Sequence, residues 1–268
     1  GGPGEQPMFP EEEYPGPGPG TFRFSTSRPI KYISFIIGRF DLIKRAVGPL
    51  PLELYVSREL MDRKPQVFDQ ARAIVDSYSR AFGPYPFEKL GVVLRSWPIS
   101  GGFSPPSYVV LNEIPWHAER GGADLSEAPV TLPRYSDFFL AHEIAHQWWG
   151  QGVSFASYRD QWLSEGLAQY SAVSFLRENY GREAFLAAAR KFSKWVNKKS
   201  YRGPIMLGAR LSAFDHDAYQ AVIYDKPVLV LFMLEGLVGR DVVQAGLRDF
   251  FASNRGRATS RPIPPSTW

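Results

Sequence analysis

The sequence has 268 residues, of which 44% are hydrophobic and 22% charged, a balance typical of globular domains. Its formal charge is +4 at pH 7, but no recognised nucleic-acid motif accompanies the basic residues, so no nucleic-acid partner is expected. The absence of cysteine excludes disulfide scaffolds and thiolate metal sites. No apolar run reaches about 18 residues, so no transmembrane segment is predicted. Compartment and oligomeric state do not follow from these features.

The chain begins with a predicted tail, followed by strands. Residues 1–20 contain six Gly and six Pro, and such a stretch cannot bury enough apolar surface to offset its ordering entropy. This end has no initiator Met, and the chain reads as a piece of a longer one. Runs rich in β-branched and aromatic residues then predict strands at 31–40, 52–57, 90–97 and 107–113.

Helices are predicted between the second and third of these strands and throughout the second half. At 64–83, apolar residues recur on one helical face, Pro65 lies near the first turn, and Gly83 is a plausible stop. Further helices are predicted at 134–150, 160–181, 182–196, 224–239 and 240–252. Strands first and helices afterwards describe an α+β fold.

The segment "AHEIAHQWWGQ" at 141–151 contains two of the four histidines in the chain. On a helix, positions i and i+4 lie on the same face, so His142 and His146 would aim two imidazoles at one point, with Glu143 beside it. This is the HExxH arrangement, in which the histidines bind zinc and the glutamate acts on a water molecule at the metal. The alternative is an ordinary helix whose histidines are packed or solvated.

A catalytic zinc site generally takes three protein ligands and keeps one position open for water. Eighteen residues separate His146 from Glu165, which lies in the first turns of the next predicted helix. Glu165 could instead be a surface acid that favours a helix N-terminus. Combined with HExxH, however, the spacing favours a ligand, and the sequence predicts a site for one Zn²⁺.

These residues carry a resemblance to a known family. "HEIAHQWWG", followed by the glutamate of "WLSEGLAQY", resembles the gluzincin aminopeptidases, the family of aminopeptidase N and leukotriene hydrolase. "YISFIIGRF" is similar to the last strand of that family's N-terminal β domain, and "AIVDSYSRAFGPYPFEKLGVVLR" to the opening of its catalytic domain. "VIYDKPVLVLFMLEGLVG" resembles the segment that carries the family's catalytic tyrosine, so the resemblance covers about residues 30 to 260.

The resemblance implies a fold and a domain organisation. The fold is a thermolysin-like zinc metallopeptidase catalytic domain, with a small mixed β-sheet followed by a helical half, expected at 58–255. Residues 21–57 would be the end of an N-terminal β domain or its connecting strands, and 1–20 the flexible tail. Residues 256–268 would be a linker toward a C-terminal region that lies outside this chain.

The resemblance also implies a role for each matching residue. His142, His146 and Glu165 would hold Zn²⁺, and Glu143 would be the general base. Tyr224 matches the tyrosine whose hydroxyl donates to the developing oxyanion. A peptide or protein would be the substrate, hydrolysed at an amide bond in the manner of an aminopeptidase.

One loop departs from the family pattern. Family aminopeptidases carry a Gly-x-Met-Glu-Asn loop whose glutamate binds the free α-ammonium of the substrate. In the matching register, Gly101 and Gly102 begin the substrate-binding loop, Phe103 replaces the Met, and Ser104 replaces the Glu. A hydroxyl cannot supply the charge-assisted contact to an ammonium. Another acidic residue, such as Glu113, would have to take over, or the enzyme does not require a free amine.

Three functions remain open at the level of the sequence. The first is a zinc peptidase of the aminopeptidase type. The second is a catalytically silent binding module on the same fold, which only the altered loop favours. The third is a hydrolase of another amide or of a non-peptide substrate, which the resemblance to leukotriene hydrolase allows.

Overall fold

The computed structural model describes residues 30, 32–58, 60, 64–96, 101–112, 132, 135 and 137–259. The predicted tail at 1–20, Glu113 and residues 260–268 lie outside these ranges. The chain divides into two compact units, Gly1–Ile37 and Gly38–Trp268. Among the described residues, no helix combines the length and apolarity needed to cross a membrane.

The second unit begins with a mixed five-stranded sheet. Its strands are β1 (Asp41–Val47), β2 (Leu50–Val56), β3 (Leu90–Arg95), β4 (Gly102–Phe103) and β5 (Tyr108–Asn112), in the spatial order β1-β2-β3-β5-β4. Strands β2, β3 and β5 run parallel, and the two edge strands pair antiparallel to their neighbours. The central strands are buried along nearly their whole length, as expected where both faces of a sheet are covered.

The helical half follows the sheet, and most of it comes after β5. The helices are α1 (Lys64–Phe82), α2 (Asp137–Ala145), α3 (Trp162–Lys199), α4 (His216–Tyr219), α5 (Lys226–Val238) and α6 (Arg240–Asn254). A π-helix, Gln220–Asp225, joins α4 to α5, and 3-10 helices lie at Tyr158–Asp160, Ser200–Arg202 and Ile205–Ala213. Short strands β6 (Ser154–Phe155) and β7 (Ala258–Thr259) pair in parallel. A small mixed sheet followed by a helical half confirms the predicted fold class.

Helix α1 follows the sequence pattern closely. Its apolar residues at i, i+3 and i+4 spacing are buried, among them Val67, Ala71, Ile74 and Tyr78, and the helix packs against β2, α2 and α6. It ends before Gly83, whose φ of 104° is readily available only to glycine. The predicted helix and its stop are therefore confirmed.

Helix α2 lies at the centre of the core. All nine of its residues are buried, including the charged and polar ones. A helix apolar around its whole circumference is typical of such a position, and the buried Asp137, His142 and Glu143 are the exceptions that need partners. It packs against both the sheet and the much longer α3, which continues to Lys199 with a break in helical geometry at Gly181.

Two predicted elements are corrected by the structure. The helix expected at 134–150 ends at Ala145, where the backbone hydrogen bonds leave the regular i+4 pattern. Gln147 N–H and Trp148 N–H bond to carbonyls three residues back, and Gln151 N–H and Gly152 N–H bond to carbonyls five residues back. The strand expected at 31–40 is wrong over residues 32–40, which form no strand. A strand needs a hydrogen-bonding neighbour, and no described strand pairs with this segment.

Strands β1 and β4 were not predicted from the sequence. Strand β1 has only part of its surface buried, so its apolar pattern is weak, and β4 is only two residues long. Strand β2, which precedes the predicted domain boundary at residue 57, pairs with β3, which follows it. The boundary itself stays a prediction.

Candidate metal and catalytic site

Three side chains bring their ligand atoms together at one point. Nε2 of His146 lies 3.2 Å from Nε2 of His142 and 3.2 Å from Oε2 of Glu165. The remaining edge, between Nε2 of His142 and Oε2 of Glu165, is 3.6 Å. Donors bound at about 2.0 Å to a tetrahedral Zn²⁺ would lie about 3.3 Å apart. The donor triangle therefore fits a zinc ion, and this is the group of potential metal ligands found in the described part of the chain.

The local chain path explains how these ligands meet. His142 lies in the last turn of α2, and His146 directly follows its end, so the i, i+4 spacing persists although the helix has stopped. The chain then turns at Gly150, whose φ is 112°. A Cβ at Gly150 would lie 2.4 Å from the Ser164 hydroxyl, so glycine permits the start of α3 to approach His146. Glu165 in the first turn of α3 thereby reaches the two imidazoles.

Glu165 and His146 shift the pKa values of each other. Burial by itself raises the pKa of Glu165, but the positive charge of His146 and hydrogen bonds from both imidazoles outweigh it and hold that pKa well below its usual range. For His146, burial lowers the pKa, but the charge and hydrogen bond of Glu165 outweigh burial and raise the pKa to about 9. Glu165 is therefore ionised at neutral pH, which is the form that binds a metal ion, whereas His146 must release its proton to bind one.

The two imidazoles differ in how they are oriented. Nδ1 of His146 lies 3.1 Å from the backbone oxygen of Trp149 and 3.1 Å from the hydroxyl of Ser164. An Nδ1–H that donates to the carbonyl leaves the Nε2 lone pair for a metal. Nδ1 of His142 is buried and has no hydrogen-bond partner among the described residues. Sequence reasoning did not identify Ser164, although its place directly before Glu165 is a signal that could have found it.

Glu143 lies beside the ligand triangle and is held by the loop before β5. Its side chain is buried, and Oε2 accepts a hydrogen bond from the hydroxyl of Ser104. A Cβ at Gly102 would lie only 2.2 Å from Oε1 of Glu143. The lack of a side chain at Gly102 is therefore what makes room for the carboxylate.

The same loop is tied to the turn after α2 by two glutamines. The carboxamide of Gln147 donates to the backbone oxygens of Pro105 and Tyr108 and accepts from the Ser107 N–H at 2.8 Å. Gln151 donates to the backbone oxygen of Ser104 at 2.7 Å. Gln147 and Gln151 therefore brace this loop against the turn.

The four loop residues occupy different environments. Gly101 has a φ of 126°, and Gly102 and Phe103 form β4 against Leu111 and Val110. Phe103 is about half exposed, whereas Ser104 is buried. Among these residues, Ser104 and Gly102 contact Glu143.

Tyr224 is brought to the site by the π-helix. Its ring stacks on that of His142, with ring centroids 5.9 Å apart and an interplanar angle of 16°. Burial, the negative charge of Glu165 and the neighbouring Tyr219 raise the pKa of the Tyr224 hydroxyl well above its usual value. The hydroxyl therefore stays protonated at neutral pH and is able to donate a hydrogen bond. Pro227 lies in the first turn of α5, where its missing N–H is tolerated.

Comparison with known proteins places these features in a family. Leucine aminopeptidase 2 of Emericella nidulans is 24% identical over 249 residues, covering 88% of this chain and 37% of that protein. The structure of native yeast LTA4 hydrolase superposes with a TM-score of 0.63 at 18% identity, over 82% of this chain and 34% of the other. An M1 zinc metallopeptidase from Deinococcus radiodurans gives a TM-score of 0.55 at 22% identity, over 81% and 44%. The two structures establish likeness of fold.

The chain is much shorter than the proteins that it matches. The chain spans little more than a third of the length of the curated relative and less than half of either solved structure. Residues 124–262 match the Peptidase family M1 domain, which is just over half of the chain and includes α2, α3 and the π-helix. The resemblance inferred from the sequence is thereby confirmed, and this chain belongs to peptidase family M1.

Proposed function

We propose that this chain is the catalytic part of a zinc-dependent peptidase that hydrolyses an amide bond with water. The observation that carries the proposal is the convergence of His142, His146 and Glu165 on one point, with the buried carboxylate of Glu143 beside it. These three residues would hold one Zn²⁺. Two imidazoles and a carboxylate, with a position left for water, are the ligand set of many catalytic zinc sites.

The proposed chemistry divides between the metal and two side chains. When bound, Zn²⁺ would acidify a water molecule and polarise the scissile carbonyl. Glu143 takes a proton from the attacking water, whose oxygen forms a bond to the carbonyl carbon, and then passes that proton to the amine as the C–N bond breaks. Tyr224 donates its hydroxyl hydrogen to the oxygen that gains negative charge, and its raised pKa supports this role.

The proposal extends to substrate specificity. Peptides or proteins are the substrate class, and the named relative is an aminopeptidase. The buried Ser104 carries no charge and its hydroxyl is engaged by Glu143, so it offers no partner for a substrate ammonium. This observation favours a second candidate, an amide hydrolase that does not require a free amine. Phe103, half exposed at the edge of the sheet, would contact the substrate together with the backbone of Gly101 and Gly102.

The proposed domain organisation follows the family assignment. Residues 58–255 would form the catalytic domain, with β2 supplied by the end of a preceding β domain or its connecting strands at 21–57. Residues 256–268 would lead toward a further region. A catalytically silent module is disfavoured because the three ligand residues, Glu143 and Tyr224 are all retained.

One set of assays tests the function and separates the candidates. The zinc-loaded chain is assayed on a free-amine aminoacyl arylamide and on an N-blocked peptide, with metal content measured in parallel. Glu143→Gln should retain zinc and lose turnover, while Glu183→Gln, which changes an exposed glutamate on α3, should behave as wild type. Cleavage of only the blocked peptide would identify the second candidate. One bound zinc with no turnover on either substrate would favour the silent module.

A further inference from the structure

A completely buried carboxyl group lies next to the proposed catalytic tyrosine. Asp225 ends the π-helix, directly after Tyr224, and its exposure is 0%. Its Oδ1 accepts a hydrogen bond of 3.2 Å from Nε2 of Gln169. Its Oδ2 is buried without a hydrogen-bond partner among the described residues. A buried carboxylate that accepts one hydrogen bond is strongly unfavourable, because burial removes the water that stabilises its charge.

The side chain of Gln169 also has a buried acceptor atom that lacks a donor within the described ranges. Gln169 lies on α3, is also 0% exposed, and donates from Nε2 to Asp225. Its Oε1 is buried and has no hydrogen-bond donor within the described ranges. The pair therefore has two acceptor atoms that lack a donor, one on each side chain. A single proton on Oδ2 of Asp225 would turn one of these acceptors into the donor that the other needs.

Charges near the pair do not compensate an ionised carboxylate. Asp225 forms no ion pair with any described residue, and Lys191 on α3 is the cation whose field reaches it. Lys226, the next residue along, directs its ammonium to the backbone oxygen of Gly203. Lys199, from the end of α3, pairs with Asp215 instead. Burial outweighs Lys191 and Gln169 and raises the pKa of Asp225 well above its usual value.

We propose that Asp225 is an un-ionised carboxylic acid at neutral pH and that it exchanges two hydrogen bonds with the carboxamide of Gln169. One hydrogen bond is the contact from Nε2 to Oδ1, and the other runs from the Oδ2 hydroxyl to Oε1. An acid and an amide are complementary in this way, because each offers one donor and one acceptor on adjacent atoms.

The pair connects two elements of the candidate site. Gln169 is four residues after Glu165, so both side chains lie on one face of α3. Asp225 follows Tyr224 in the π-helix, and the π-helix packs against α3. The acid–amide pair is thus a positioning device that holds the Tyr224 segment to the helix that carries Glu165. This positioning role rests on the proposed function, whereas the protonation state of Asp225 does not.

Infrared spectroscopy of the intact chain tests the protonation state. At neutral pH, the difference spectrum between wild type and Asp225→Asn should contain the C=O stretch of a protonated carboxylic acid. Asp217→Asn, which removes an exposed carboxyl nearby, supplies the control and should show only carboxylate bands. Absence of the protonated band in the Asp225 difference spectrum would overturn the proposal. This measurement requires no turnover.

Kinetics test the positioning role. Asp225→Asn can still exchange two hydrogen bonds with Gln169, so its kcat should remain close to wild type. Asp225→Leu cannot, and should lower kcat by about tenfold to a hundredfold, with KM and zinc content little changed, because Tyr224 would be misplaced. Equal losses in the Asn and Leu variants would contradict the pair. If wild type proved inactive on every substrate, the proposed function would fail while the infrared result still stood.

Discussion

The hydroxyl of Ser104 donates a hydrogen bond to Oε2 of Glu143 and so links the edge of the sheet to the central helix. Both side chains are buried, and the backbone oxygen of Ser104 is held in turn by Gln151. A carboxylate with a fixed donor on one oxygen presents its other oxygen in a defined direction. Ser104 is therefore a positioning residue for the proposed base, although by resemblance it stands where the family binds an amine.

Replacing Ser104 by Ala should weaken catalysis and leave metal binding intact. A hydrogen bond to a charged group contributes about 1.5 kcal/mol or more, which corresponds to roughly a tenfold loss in kcat. KM should change little if the hydroxyl serves Glu143 and not the substrate. Steady-state kinetics with parallel zinc analysis measure both effects, and Ser154→Ala, at a partly exposed hydroxyl in β6, is the matched control. A rise in KM at constant kcat would argue for a direct substrate contact instead.

Gly102→Ala tests whether the loop must lack a side chain beside Glu143. The new Cβ would lie 2.2 Å from Oε1 of Glu143, so the carboxylate or the two-residue strand must move. A displacement of about 1 Å in a catalytic group costs about a hundredfold in rate, and a kcat loss of this order is expected with zinc retained. Gly236→Ala in α5 meets no atom within 4 Å and should leave kcat unchanged. A fully active Gly102→Ala enzyme would rule out this packing constraint.

Much of the fold could be predicted because its signals are local. The apolar face of α1 and its glycine stop follow from spacing alone, and β3 and β5 are short, continuous apolar runs. The segment at 32–40 was wrongly predicted to be a strand because it is rich in β-branched and aromatic residues, among them Ile33, Phe35 and Ile37. They are 84%, 75% and 87% exposed in the structure. Strand formation depends on a pairing partner, and a single segment carries no information about one.

In the candidate site, too, features with local sequence signals could be predicted and contacts between distant residues could not. The spacing of His142, His146 and Glu165 predicted which residues would meet, since helix geometry fixes i and i+4, and the 18-residue spacing that follows pointed to the third ligand. The contacts of Ser104 and Gln147 could not be predicted, because they join residues about 40 positions apart across the core. The Asp225–Gln169 pair is still more distant in sequence, and each residue alone looks like a surface group.

Glu165→Gln should largely remove the dependence of the thermal midpoint on zinc. A ligand that binds only the folded state stabilises it by about 2.7 kcal/mol at a free concentration a hundredfold above its Kd. The thermal midpoint of wild type should therefore rise with added zinc and fall with a chelator. Glu165→Gln loses the ionised ligand, so its midpoint should respond far less to either addition. Glu183→Gln retains the three ligands and should respond as wild type does; equal responses in all three proteins would exclude the predicted site.

The buried Asp225 should also give the free energy of unfolding a defined pH dependence. Burial raises the pKa of Asp225 in the folded protein, whereas the unfolded chain has the ordinary value of about 3.9. The folded state then binds the proton more tightly, so the stabilising contribution is complete below about pH 4 and is lost as the pH rises toward the folded pKa. Relative to Asp225→Asn, which does not titrate, wild type should lose about 1.4 kcal/mol per pH unit across this interval. Urea unfolding of both proteins at a series of pH values measures the difference, with Asp217→Asn as the baseline for removal of an exposed carboxyl. A difference that is constant with pH, or that grows in favour of wild type, would mean that Asp225 is ionised in the folded protein.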